Sequence, residues 1–473
     1  GVSSVGLKRR VTSQMPVTTD GTTFINGVGL AFTLLMCLLM LVLPRRYALV
    51  PVIILTCYMT MGERLIIAGA NFTMIRILTL AGWMRIIVRG EIHSLRFNAV
   101  DKAMVLWTLS GIVFHTLLWQ TSQEFVNRLG HSYDVIGLYF LFRYVVRGID
   151  DIKQLVRFVA ILIVPLAVSM LAEKLTGRNS FFVFGGVMEF TRIRDGALRC
   201  QGPFAHPILA GTFGATLLPW FVGLWYLGRK NRVIASLAIV SALTITLTSA
   251  SSGPALAAVA GIVALLAWFW RRWLRTIRWV IALGLITLQL LMKSPVWYLM
   301  ARVDVFGGST GWHRAWLIDT AVKHFSEWWL LGIQNSGVWD PMLADVTNQY
   351  LLEGFRGGLV TMLLFIWIIV LCFRAVGIAV RRTAGTEPFS TRFCIWVLGC
   401  SLFAHVLNFL SISYFDQNGV MWLLLLALIS TSTAPYLLAR RPSSVSIAQP
   451  ATEPKLSDDW ATQPITDVSL NGN

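Results

Sequence analysis

Charge is what this sequence has least of: only 13% of its 473 residues are Asp, Glu, Lys or Arg, 56% are hydrophobic, and the mean hydropathy is +0.66. That balance excludes a globule with a charged, water-facing surface and makes lipid the expected solvent. Cysteine is sparse as well. Cys37, Cys57, Cys372, Cys394 and Cys400 lie in or beside apolar runs, and Cys200 alone falls among polar loops. No disulfide framework and no zinc spacing follows from them. The first apolar run has no small-residue cleavage site after it, so it is expected to stay as an anchor.

What is present in quantity is apolar sequence of spanning length. Phe24 to Leu43, Pro207 to Leu227, Gly253 to Trp270 and Val420 to Leu438 each suit a hydrocarbon layer about 30 Å thick. Roughly thirteen such segments can be counted. The expected fold is therefore all-α: a polytopic transmembrane bundle of roughly 12–13 spans with one large outer loop containing amphipathic helices. Residues 1–23 read as an amino-terminal tail, 24–438 as the membrane domain, and 439–473, rich in Ser, Pro, Asp and Thr, as a disordered cytoplasmic tail.

The net charge of +17 reports orientation and not a nucleic-acid partner. Basic clusters at Arg143 and Arg147, Arg229 to Arg232, Arg271 to Arg278, Arg374 to Arg392 and Arg440 to Arg441 occupy alternate joints, as cytoplasmic loops do. Glu173 to His206, Thr248 to Ser252, Lys293 to Gln349 and Ser411 to Asp416 are then expected on the opposite, outer side. Lys8, Arg9 and Arg10 call for the same side as Arg45 and Arg46, although the first span separates them. A re-entrant early segment would reconcile the two.

Two outer loops carry the polar chemistry. The first places Arg192, Arg194 and Arg199 just ahead of a span that Pro207 starts at its first turn. Arginines on the outer side run against the charge rule and point to anion binding, since a guanidinium offers phosphate a two-pronged donor and stays charged when partly desolvated. Pairing with Glu189 and Asp195, or with lipid headgroups, is the competing reading. The second loop mixes Trp297, Trp312, Trp316, Trp328, Trp329 and Trp339 with Arg302, His313, Arg314, His324, Glu327, Asp340 and Asp345. Ala315, Ile318, Val322, Phe325 and Trp329 recur at helical spacing, which predicts an apolar stripe with His313, Thr320, His324 and Glu327 on the other side. His324 and Glu327 lack a third ligand at helical spacing, so no metal is expected.

Three motifs in order, Arg199-x-x-Gly202-Pro-Phe204-x-His206-Pro207, Gly311-x-x-Arg314-x-Trp316 and Asn348-Gln349-Tyr350-Leu351-x-Glu353-Gly354, resemble those of the O-antigen ligase and polysaccharide polymerase superfamily. The resemblance runs from about Glu189 to Gly358. It implies a glycosyltransferase of the bacterial inner membrane with its active site facing the periplasm. The donor would be an undecaprenyl-pyrophosphate-linked oligosaccharide and the acceptor a glycan hydroxyl. The bilayer and other polysaccharide assembly proteins would be the remaining partners, with no cofactor or metal and with inversion at the anomeric carbon. Arg199 and Arg314 match the family's pyrophosphate-contacting arginines. Arg192, Arg194, His206, Trp316, Thr347, Asn348, Gln349 and Tyr350 are the accompanying substrate-binding candidates.

Two departures separate this chain from the ligases it resembles. Ligases carry His before the Asn of the third motif as the proposed general base, and Thr347 stands there; a threonine hydroxyl does not accept a proton near neutral pH. Either Asp345, His313 or Glu353 accepts the proton instead, or the acceptor is activated mainly by positioning against a very good leaving group. Ser251-Ser252-Gly253 stands where many members have Ser-Arg-Gly. Both departures favour a polymerase building exopolysaccharide, capsule or O-antigen over a ligase acting on lipid A-core. A lipid-linked-sugar flippase is the rival from another class. It would show charges lining the bilayer midplane, whereas Arg76 is the plainest mid-span charge here.

Overall fold

The computed structural model describes residues 26–67, 70–302 and 311–438. The tails expected at 1–23 and 439–473, with Lys8 to Arg10 and Arg440 to Arg441, lie outside the described residues. The chain is mostly helical, with 75% helix and 3% strand. Helix α1 (Gly27–Val42) is followed by the half-length α2 (Val50–Tyr58), a hairpin of β1 (Arg64–Ile67) and β2 (Ala70–Thr73), and α3 (Met74–Val88). Then come α4 (Ala99–Trp119), α5 (Ser122–Val145) and α6 (Ile149–Thr176). A second hairpin of β3 (Arg192–Arg194) and β4 (Ala197–Arg199) leads into α7 (Pro207–Trp225), α8 (Arg232–Thr248), α9 (Ser252–Leu266) and α10 (Leu274–Leu291). The long loop holds α11 (Gly311–Lys323) and α12 (Phe325–Trp328) before α13 (Gln349–Arg382), α14 (Phe389–Asn408) and α15 (Asp416–Leu438).

Among the described residues eight helices are long and apolar enough to cross a membrane, namely α4, α6, α7, α8 with the turn before it, α10, α13, α14 and α15, so the protein is a multi-pass membrane protein. Hydropathy alone led to an expectation of roughly thirteen spans. The remainder are α1, α2, α3, α5 and α9. Of these α2 has only nine residues, about 14 Å of rise, and α5 carries Glu124, Arg128, Asp134 and Arg143. Local chemistry sets the boundaries. Asn98 and Asp101 cap α4 reciprocally, Pro207 occupies the first turn of α7, and Gly177, in the left-handed region at φ 71°, ends α6.

The helix ends sort into two layers of contacts. In one, Arg45 reaches the Asp151 carboxylate at 2.7 Å, Arg85 reaches Glu91 at 2.7 Å, and Arg143 reaches Asp101 at 3.0 Å and Thr431 at 2.9 Å. In the other, the Cys200 amide bonds the Thr248 carbonyl at 3.1 Å and the Gln349 amide bonds Phe409 at 2.9 Å. There too Gln417 donates to the carbonyls of both Met59 and Pro203 at 3.1 Å. The loops expected on the outer side thus meet one another. Arg45 pairs with Asp151 at the opposite end, and α2 with the extended chain after it returns to Met59; Lys8 to Arg10, on which the expected re-entrant segment turns, lie outside the described residues.

The stripe expected on the long loop is corrected. Leu317, Thr320, Ala321 and Trp328 form the buried face, while Val322, Phe325 and Trp329 are exposed. The helix breaks after Lys323, and the loop's own small core of Leu317, Ala321, Trp328, Leu343 and Phe355 recruits the other side of the turn.

Candidate active site

The β3–β4 ribbon builds the first half of the site. Its turn, Asp195 at φ 51° and Gly196 at φ 74°, suits a tight two-residue hairpin. Arg192 pairs directly with Arg199, and Arg194 lies two residues from Arg192, so all three arginines project from one face of the ribbon. Like charges placed opposite each other destabilise a ribbon by themselves. Something else must hold the arrangement.

That something is a set of backbone anchors. The buried Glu173 carboxylate, at the end of α6, accepts from the amides of Gln201 at 3.1 Å and Gly202 at 2.8 Å and from the Thr191 hydroxyl at 3.1 Å. Asn179 donates to the Gly202 carbonyl at 2.7 Å, and Lys174 to the Leu198 carbonyl at 2.6 Å. Gly202 adopts φ 55°, and a Cβ there would press on Met170. Sequence reasoning missed Glu173, Lys174, Asn179 and Gln417 as site-building groups. Each acts through a carbonyl, amide or hydroxyl far along the chain, and no local pattern marks such a partner.

Arg199 donates to the Ser251 hydroxyl at 2.8 Å, while its buried Nε has no partner. Arg314 comes from the other loop, on α11, where Gly311 leaves room for the Met300 carbonyl oxygen that a Cβ would strike. Its Nε is also buried and unpartnered. Burial, then Arg194 and Arg199, push the proton affinity of Arg314 down to about 10; burial, then Arg194 and Arg192, lower that of Arg199. Both stay charged at neutral pH. Among the described residues no carboxylate bridges either one, although Arg194 lies 3.4 Å from Asp195. The two loops therefore set Arg199 and Arg194 in the field of Arg314, with Asp195 acting on Arg199 and no ion pair to Arg199 or Arg314 among the described residues, an arrangement that suits an anion.

His206 caps α7, its Nδ1 accepting from the Ile208 amide at 3.2 Å, so it acts in the fold at the edge of the cluster. Burial first, then Arg199, Arg192 and Arg194, push its pKa down to about 4. The unfolded imidazole protonates near pH 6.5, so its contribution to stability is complete above that value and is lost as pH falls towards 4. The thermal midpoint is expected to fall across that window and to fall less in H206N, whose carboxamide keeps the cap; identical profiles would remove His206 as the cause.

The third motif divides. Asn348 caps α13 by accepting from the Leu351 amide at 3.2 Å. Gln349 accepts from the Tyr414 amide at 2.6 Å and donates to Glu353 at 2.7 Å, and the Tyr350 hydroxyl donates to the Val406 carbonyl at 2.9 Å. The second Glu353 oxygen accepts from Trp107 at 3.0 Å, and the side chain is buried, so Glu353 braces α13 against α4 and is withdrawn from the candidate bases. Thr347 keeps a buried hydroxyl with no partner. Asp345 is exposed, and among the described residues no cation pairs with it. His313 bonds the Met342 carbonyl through Nε2 at 2.8 Å, which fixes the proton there and leaves Nδ1 with its lone pair. Trp316 stacks near Trp312, ring centres 5.1 Å apart, and packs on the loop core. His324 and Glu327 bond each other at 2.6 Å, and Trp339 donates to Glu327 at 2.7 Å, which accounts for their spacing. Comparison with known proteins adds no relative: no family model and no curated protein matches this chain.

Proposed function

We propose that the chain is a membrane glycosyltransferase that polymerises undecaprenyl-pyrophosphate-linked oligosaccharide units at the outer face of a bacterial inner membrane. What supports this reading is that Arg314 from one loop lies in the field of Arg199 from another, both half-buried with an unpartnered Nε and, among the described residues, in no ion pair. The wealth of Lys and Arg at the other joints supports placing that end outside.

In this reaction an acceptor hydroxyl attacks the anomeric carbon from the side opposite the pyrophosphate. The new C–O bond forms as the old one breaks, the electron pair leaves with the pyrophosphate, and the hydroxyl proton passes to a base. The arginines neutralise the charge growing on the leaving group, and the loops hold the two substrates in line. We assign the proton to Asp345, which is exposed and, among the described residues, pairs with no cation. D345N is expected to lower kcat by about 10²–10⁴-fold and H313Q by less than about tenfold; the reverse order would transfer the role to His313.

The test is to incubate the purified protein with a cell's lipid-linked repeat units, with and without lipid A-core, and to separate the products on a gel. A ladder without added acceptor supports polymerisation. Product only with lipid A-core would make the chain a ligase, and no glycosidic product from any authentic donor would favour a carrier.

A further inference from the structure

A second cationic group lies away from the Arg199–Arg314 cluster, among α4, α5 and α13. Arg128 on α5 is 6% exposed, its Nε has no partner, and Gly111 on α4 leaves room for its guanidinium, which a Cβ there would strike. Arg356 on α13 is exposed and lies within the field of Arg128 and of Glu353. Among the described residues Glu353 is the carboxylate that acts on both, and its two oxygens already accept from Trp107 and Gln349. Arg76, by contrast, is neutralised in place, its Nε 2.8 Å from Asp134. Glu124, one helical turn before Arg128, is held by His115 at 3.4 Å, so Arg128 keeps a buried Nε with no partner, a costly state between helices unless a ligand completes it.

The position of this group connects it to the first site without merging the two. The loop that carries Arg314 rests on α13 just here, the Ile333 amide on the Phe355 carbonyl at 2.8 Å and the Leu359 amide on Trp329 at 2.7 Å. Gln334 donates to the Leu118 carbonyl at the end of α4 at 3.1 Å. The kink at Gly357 and Gly358 follows Arg356 directly, and Gly358, at φ 70°, lies against the Leu330 carbonyl. Arg314 feels Arg194 and Arg199, and neither Arg128 nor Arg356 is among the charges that move it.

We infer that Arg128 and Arg356 bind a second lipid-borne pyrophosphate, that of the acceptor, so that the protein holds two lipid-linked substrates at once. The inference rests on the proposed reaction. Joining two lipid-linked units brings together two pyrophosphates, one that departs and one that stays, and the departing group cannot share its clamp with the staying one. A headgroup hung from a prenyl tail reaches a site flanked by spanning helices, whereas a free anion would have to cross the loop above it.

The experiment titrates undecaprenyl pyrophosphate into the full chain in phosphatidylcholine nanodiscs and reads the number of lipids bound. Wild type is expected to bind two equivalents, R356Q and R314Q one each, and the double variant none. In R356Q the KM for the acceptor lipid is expected to rise at least about tenfold with the remaining equivalent intact. R356Q is compared with wild type by its melting temperature before binding is read, which keeps the reading independent of folding. Two equivalents retained by R356Q, or a single wild-type equivalent lost only with R314Q, would overturn the inference while sparing the proposed function. A single wild-type equivalent lost only with R356Q would instead sink the Arg199–Arg314 clamp. Displacement of the second lipid by inorganic pyrophosphate or by phosphatidylglycerol at equal concentration would overturn the assignment to a prenyl-linked group, the first by identifying a free anion and the second a bulk headgroup.

Discussion

Replacing Arg314 by glutamine is expected to lower kcat by about 10²–10³-fold, the loss typical when one preorganised donor to a developing negative charge is removed. Binding of the donor lipid should weaken less, because the charge on the pyrophosphate bridge grows as the glycosidic bond breaks and the arginine matters most then. R314K is expected to recover only part of the rate, since an ammonium supplies charge without the two-pronged geometry. R199Q should behave similarly, and the double variant should lose less than the product of the two, because both guanidiniums act on one leaving group. Single-turnover kinetics with a preformed lipid-linked donor separates the chemical step from binding. Full activity in both R199K and R314K would refute the clamp, since a scaffold tolerates that exchange.

The second large effect is expected at a residue that touches no substrate. E173A leaves the Gln201 and Gly202 amides and the Thr191 hydroxyl without their buried acceptor. Each orphaned group costs about 1–3 kcal/mol, so a marked fall in thermal stability is expected. Activity should fall to the R199Q level, because the chain from Cys200 to Gly202 sets where β4 points Arg199. E173Q keeps one oxygen and sets its amide nitrogen against at least the Gly202 amide, so it should recover only a part. The decisive comparison is a double-mutant cycle: E173A on the R199Q background should cost little further rate, whereas independent, additive losses would show that Glu173 acts by some other route.

Several features were legible in the residues because they follow from local chemistry. The start of α7 at Pro207 and the polar character of the ribbon around Arg199 are of this kind, as is the apolar run ending at Leu438. Each depends on neighbours within a turn or two of helix or strand. The apolar stripe on the long loop was misread for the complementary reason. Helical spacing identifies which residues share a face, but not which face finds a partner, and Leu343 and Phe355 decided that from outside the segment. Glu353 misled in the same way. A carboxylate in a motif looks like a base until Trp107, 246 residues away, takes one of its oxygens.

The sequence by itself determined that this chain lives in lipid, that its polar chemistry gathers in a few loops, and that arginine supplies the charge there. Composition and hydropathy act residue by residue against a uniform solvent, so they need no knowledge of the fold. Only the tertiary structure decided that Arg314 lies in the field of Arg199, that Glu173 holds the ribbon, and that Arg128 and Arg356 both lie in the field of Glu353. Those facts depend on pairings between distant segments, where a hydrogen bond or an uncompensated charge exists only once the helices have packed.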